Sequence, residues 1–83
     1  MWMRLEKINQ GRRQKRFYLL QVTQTLFGEW CVIREWGRIG NAGGQQRVEY
    51  HRSKAQAHAA LADIKAAKLR RGYAPIPVQL EMF

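Results

Sequence analysis

A single helix-forming run, residues 53–71, restricts most strongly what this chain can become. Ser53 stands where its hydroxyl can accept from the backbone N–H three positions on, and Gln56 can reach back, the S-x-x-Q form of a capping box. From there to Arg71 the composition is dominated by Ala, Leu, Lys and Gln, all strong helix formers, and Gly72 supplies the stop. At about 100° per residue, Ala57, Ala60, Ile64 and Ala67 share one face with Leu61 at its edge. Small residues on the buried face let such a helix lie close to a sheet. Lys54, His58 and Lys65 form an adjacent basic strip, and Lys68 borders both faces.

The sheet must come from the remaining residues. "RFYLLQVTQT" at 16–25 alternates Tyr18, Leu20 and Val22 against Phe17, Leu19 and Gln21, and is rich in strand-forming types. "EWCVIREW" is apolar on both faces as far as Ile33, which predicts the middle strand of the sheet. "QQRVEYH" alternates again and closes a hairpin across the glycine-rich "GRIGNAGG". "WMRLEKIN" at 2–9 reads as a first strand interrupted by Arg4 and Lys7, with a turn at "NQGRRQ". In the tail "APIPVQLEMF", Ile76, Val78, Leu80 and Met82 alternate with polar residues and proline, which predicts an edge strand. The expectation is an α+β fold: a small, twisted antiparallel sheet of four to five strands with one α-helix packed on it. Eighty-three residues bury roughly somewhat over half of their unfolded surface, so one domain spans 1–83, with its core over about 2–73 and an extension at 74–83.

Charge narrows the class of partner. Fifteen Lys and Arg against six Asp and Glu give +9 and a pI near 10.7, an excess that attracts polyanions. Six of the cations fall in the first 16 positions, and Lys65, Lys68, Arg70 and Arg71 close the helix with no acid between them. Charge alone does not separate nucleic acid from an anionic membrane surface or an acidic protein. One cysteine cannot close an internal disulfide, and with two histidines it does not reach a zinc spacing. The glycines at 37, 40, 43 and 44 match neither a P-loop nor the dinucleotide fingerprint, so neither metal nor cofactor is expected. The first sixteen residues are charged throughout and no apolar run reaches membrane-spanning length, which predicts a cytoplasmic chain that does not enter a membrane. Catalytic groups do not stand out: Cys31 sits mid-strand as a buried thiol, His58 lies on the polar side of the helix, and His51 and Glu35 have no partner at a mechanistic spacing. The expectation is a binding protein rather than an enzyme.

What remains is the run Trp36-Gly37-Arg38-Ile39-Gly40, placed by the pattern at a turn between two strands. Trp36 is either a core anchor or a stacking surface for a base or sugar. Arg38 can make charge-assisted bonds to phosphate, and glycines permit close backbone approach. The run "REWGRIGNAGGQ", preceded by "FYLLQV" and followed by a helix ending in "KLRRGY", resembles the WGR domain, named for the three residues at Trp36, Gly37 and Arg38. That family is best known as the DNA-sensing module of the DNA-damage-activated poly(ADP-ribose) polymerases, where it grips a strand end at a break near its 5′ terminus. The resemblance implies that Trp36 packs on the sugar or terminal base, that Arg38 contacts the strand end or a neighbouring domain, that Lys68 contacts phosphate, and that Gly37 and Gly40 shape the loop. Bacterial members of the family also occur as short proteins of this size, and the chain is expected to depart from the best-understood members in having no polymerase, regulatory or zinc-finger domain.

The function expected from the sequence is therefore non-catalytic recognition of DNA ends, nicks or 5′-terminal regions through Trp36 and Arg38, with Lys54, Lys65, Lys68, Arg70 and Arg71 on phosphates. RNA is a second polyanion that stacking and phosphate contacts would accept. The alternative is a protein-interaction module that uses the same Trp and Arg to anchor an acidic partner, including one that supplies catalysis. The apolar tail could also pair two copies of the chain as a homodimer.

Overall fold

The computed structural model describes residues 2–40 and 43–76. Five strands and one long helix follow in the order β1 (Trp2–Asn9), β2 (Gln14–Gln24), β3 (Trp30–Arg38), β4 (Gln45–His51), α1 (Lys54–Arg70) and β5 (Ala74–Ile76), with a single 3₁₀ turn at Gln10–Arg12. All pairings are antiparallel and the strands lie in the order β4-β3-β2-β1-β5. The α+β architecture expected from the sequence is the one observed.

The middle strand differs from the expectation. β5 adds to the outer side of β1, with Ile76 opposite Arg4 and Ala74 opposite Glu6, so β2 is central and β3 lies one place off centre. The two-sided apolar character of β3 has a local cause, since Cys31 and Val32 point to opposite faces and both are buried. The remaining tail, 77–83, with the expected alternation at Val78, Leu80 and Met82, lies outside the described residues.

One face of the sheet carries the core. Leu5, Tyr18, Leu20, Val22 and Val32 pack against Ala57 and Leu61 of α1. Ala57 has no exposed surface, because a methyl side chain lets the helix backbone come down onto the strands. The opposite face carries half-buried Phe17, Leu19 and Ile33, and register aligns Trp2, Gln21, Ile33 and Val48 in one row across β1 to β4.

The helix begins and ends where its sequence signals stand. Gln56 N–H donates to Ser53 Oγ at 3.1 Å, while Gln56 Oε1 accepts from the Arg52 N–H, one residue further upstream than a strict capping box. At the other end Gly72 adopts φ 99°, its N–H bonds the Leu69 carbonyl and the Tyr73 N–H bonds that of Lys68. These two bonds form a Schellman motif, which turns the chain sharply and returns Tyr73 to the sheet. In the β2–β3 turn, Thr25 Oγ1 accepts from the Phe27 and Glu29 amides, holding Leu26 and Phe27 out in solvent.

Leu20 and Leu26 share a residue type and differ wholly in surroundings. Leu20→Ala should cost about 2–5 kcal/mol in urea unfolding, while Leu26→Ala should stay within about 0.5 kcal/mol of the parent.

Candidate nucleic-acid interface

Trp36-Gly37-Arg38 belongs to strand β3 rather than to the turn after it, and this decides where each side chain goes. Tyr18 and Trp36 are direct cross-strand partners on the helix-covered face. The Thr25 N–H bonds the Glu29 carbonyl and the Ile39 N–H bonds that of Lys15, so odd-numbered β3 residues carry the ladder bonds to β2. Tyr18 and Trp36 are thus a non-hydrogen-bonded pair, the type with the closest side chains. Their rings stack 5.5 Å apart at 10°. Trp36 is half-buried, resting on Tyr18 with part of its surface open.

Gly37 points to the opposite face, where a Cβ would lie 3.3 Å from the Phe17 ring and 3.4 Å from Gly44 Cα. Its missing side chain makes room for Phe17 and for the Gly44 backbone. Gly40 takes φ 90° and does shape the turn. The tightest approach is at Gly44, where a Cβ would fall 2.5 Å from the Trp36 carbonyl oxygen, so this backbone can cross Trp36 only as glycine.

Two further groups close on the stack. Tyr73, delivered by the Schellman turn, meets Tyr18 edge-on at 6.2 Å and 76°. The Lys68 ammonium stands 4.3 Å from the Tyr18 ring centre and 5.7 Å from that of Tyr73. Burial pushes its pKa below the ordinary lysine value, and the charges of Arg71 and Arg34 push it further. Among the described residues no carboxylate pairs with Lys68. Arg34 has partners: its Nε donates to Tyr18 Oη at 2.9 Å and its Nη1 to Glu49 at 3.5 Å. Burial works against the Arg34 charge, but those bonds and the Glu49 charge outweigh it and hold the guanidinium above its ordinary value.

Beside this cluster a groove of about 150 Å³ is lined by Arg16, Trp36, Gly37, Arg38 and Tyr73. It adjoins a cavity of about 400 Å³ at the β1–β2 tip, lined by Arg12, Arg13, Lys15, Arg16 and Arg38 together with Gln14 and Ile39. Arg16 and Arg38 line both, because register places them opposite each other. Among the described residues no carboxylate lines either cavity, and no group of three His, Cys, Asp or Glu gathers to hold a metal.

The structure brings Trp36, Gly37, Arg38 and Lys68 together, with exposed Arg71 close enough to depress the Lys68 pKa. Arg70 is exposed on the same last turn, and Lys65 is half-buried one turn earlier. Lys54 is separated from them: its ammonium lies 5.7 Å from the Trp30 ring, at the opposite end of a helix that rises about 21 Å between Lys54 and Lys68. His58 is half-buried rather than solvated, and Cys31 is buried as expected. Sequence reasoning missed Tyr18 and Tyr73 as parts of the site, and Arg12, Arg13, Lys15 and Arg16 as its rim. The signals were present in the six early cations and in a Tyr placed directly after the helix stop.

A family model of the WGR domain matches residues 1–79. Among curated proteins the chain is similar to the uncharacterized protein y4dW of Sinorhizobium fredii, 34% identical over 73 residues. That alignment takes in 88% of this chain and 35% of the relative, so the chain spans about a third of the relative's length. The chain belongs to the WGR domain family. Among its described residues no helix is long and apolar enough to cross a membrane.

Tyr18→Phe keeps the ring beneath Trp36 and removes the oxygen to which Arg34 donates. It should cost roughly 1.5–3 kcal/mol, the range for a bond to a charged group, and retain the near-UV circular dichroism of the stack. Tyr18→Leu should lose that signal as well.

Proposed function

We propose that this WGR domain is a non-catalytic nucleic-acid-binding unit that receives the end of a DNA strand in the groove between Trp36 and Tyr73. The family is typically linked to nucleic-acid binding. The observation that carries the reading is the continuity of an aromatic groove with a rim of cations that has no acid in its lining. A terminal base or sugar would stack on the open part of Trp36, held in place because its other contacts are fixed by Tyr18. Phosphates leaving the groove would meet Arg16 and Arg38, then the hairpin tip with Arg12 and Arg13. Lys68, Arg70 and Arg71 at the helix end would hold the other side, with Lys65 and the remote Lys54 adding attraction at longer range. A strand end fits this arrangement better than a continuous duplex, because the groove is short and one wall is the Tyr73 ring.

Five phosphate contacts, by Arg12, Arg13, Arg16, Arg38 and Lys68, would give a log–log salt slope of about −4 to −5. The test is fluorescence anisotropy with a nicked 5′-phosphorylated duplex, a hairpin-capped intact duplex, a DNA single strand and its RNA counterpart. Preference for the nicked duplex should vanish in Trp36→Ala with the slope unchanged, whereas Arg13→Ala should reduce the slope by about 1 and Lys54→Ala should leave it alone. Equal weak binding to every probe, unchanged by Trp36→Ala in a folded protein, would sink the reading and favour an acidic protein partner.

Alkaline pH gives a second check. The folded-state pKa of Lys68 lies below its ordinary value, so its attraction for phosphate is lost as pH rises through that lowered value. Affinity should begin to fall at a lower pH in the parent than in Lys68→Arg, whose guanidinium keeps its proton throughout.

A further inference from the structure

We propose that β4 pairs with β4 of a second copy of this chain, joining two sheets into one continuous ten-stranded sheet about a two-fold axis through Val48. Among the described residues β4 is a free edge beyond β3, seven residues long, with exposed residues at five positions and no proline or lysine to blunt it. Its hydrogen-bonding groups divide cleanly. Ladder bonds from β3 to β2 run through odd-numbered β3 residues, so even-numbered Trp30, Val32, Arg34 and Trp36 serve β4 through His51, Glu49, Arg47 and Gln45. The amides and carbonyls of Gln46, Val48 and Tyr50 therefore point outward, away from the sheet.

An antiparallel second copy centred on Val48 uses all of them. Val48 meets Val48 and exchanges both of its bonds, and Gln46 meets Tyr50 on either side. Between these bonded pairs Arg47 falls opposite Glu49 of the second copy, and Glu49 opposite Arg47. Both side chains project on the helix-covered face, where Arg47 is 65% and Glu49 31% exposed. Charges usually protect an edge strand because like meets like. Here opposite signs stand two residues apart about the centre, so the same charges are self-complementary. On the other face the apolar row through Ile33 and Val48 continues into Val48 and Ile33 of the second copy.

The axis is perpendicular to the sheet, so both helices and both Trp36 grooves lie on the same side. Three strand spacings across and six residues along separate the two tryptophans by roughly 25 Å. Pairing through β4 does not rest on nucleic-acid binding, and its test needs no nucleic acid.

Sedimentation velocity of the whole chain over a concentration series tests it, with circular dichroism confirming the fold of each variant. The parent should shift reversibly from 9.8 kDa to twice that mass as concentration rises. Arg47→Glu and Glu49→Lys should each remain monomeric alone, since each places like charges opposite one another at both positions. Mixed in equal amounts they should recover the doubled mass, because every cross-strand pair is again of opposite sign. Val48→Pro removes an outward N–H without touching the β3 ladder, and should give a folded monomer. A parent that stays monomeric at every concentration would overturn the proposal, as would a dimer that survives in Arg47→Glu or Val48→Pro.

Discussion

Tyr18 is 2% exposed, and side chains from three other parts of the chain lean on its ring or hydroxyl. Trp36 from the next strand stacks on it, Tyr73 after the helix meets it edge-on, Lys68 holds its charge over it, and Arg34 donates to its oxygen. The ring is at once a core residue and the support on which two of the groove's lining residues, Trp36 and Tyr73, rest. A flat surface in water would ordinarily be free to reorient. Here Trp36 is fixed by a neighbour that the core itself immobilises, so little ordering remains to be done when a ligand arrives. Anchoring the core and presenting a surface are not exclusive at Trp36, which packs against the core and keeps part of its ring open.

The electrostatics follow from that arrangement. Arg34 is paired with Glu49, donates to the Tyr18 hydroxyl and acts as a brace for the stack. Lys68 is held near Arg71 and Arg34 with burial against it, an arrangement that costs stability and favours an incoming anion. The hairpin tip repeats the theme at larger scale, since Arg12, Arg13, Lys15 and Arg16 crowd one end of the sheet beside Arg38. Charge of one sign concentrated at one end of a small molecule draws a polyanion toward that end.

Much of this was legible in the sequence, for identifiable reasons. Ser53, Gln56 and Gly72 are local signals, and the helix begins and ends where they stand. The alternation of Tyr18, Leu20 and Val22 correctly gave the buried face of β2. What could not be read depends on register between distant segments. That Arg16 lies opposite Arg38 follows from turn lengths, and only then do the early cations join the WGR run. The need for glycine at 44 appears only once β4 is seen to enter across the Trp36 carbonyl. β2 became central because three tail residues paired with β1, an outcome that no pattern within β3 could reveal. The close approach of Phe17 to Gly37 is hidden for the same reason, since Phe17 belongs to another strand.

The Schellman turn at Gly72 has a dynamic consequence. The bonds that stop the helix are also the bonds that set Tyr73 against Tyr18, so one wall of the groove is an extension of the helix terminus. Helix ends open far more readily than sheet interiors, by local fluctuations that leave the rest of the fold intact. The lifetime of the complete groove is therefore tied to the fraying of one helical turn.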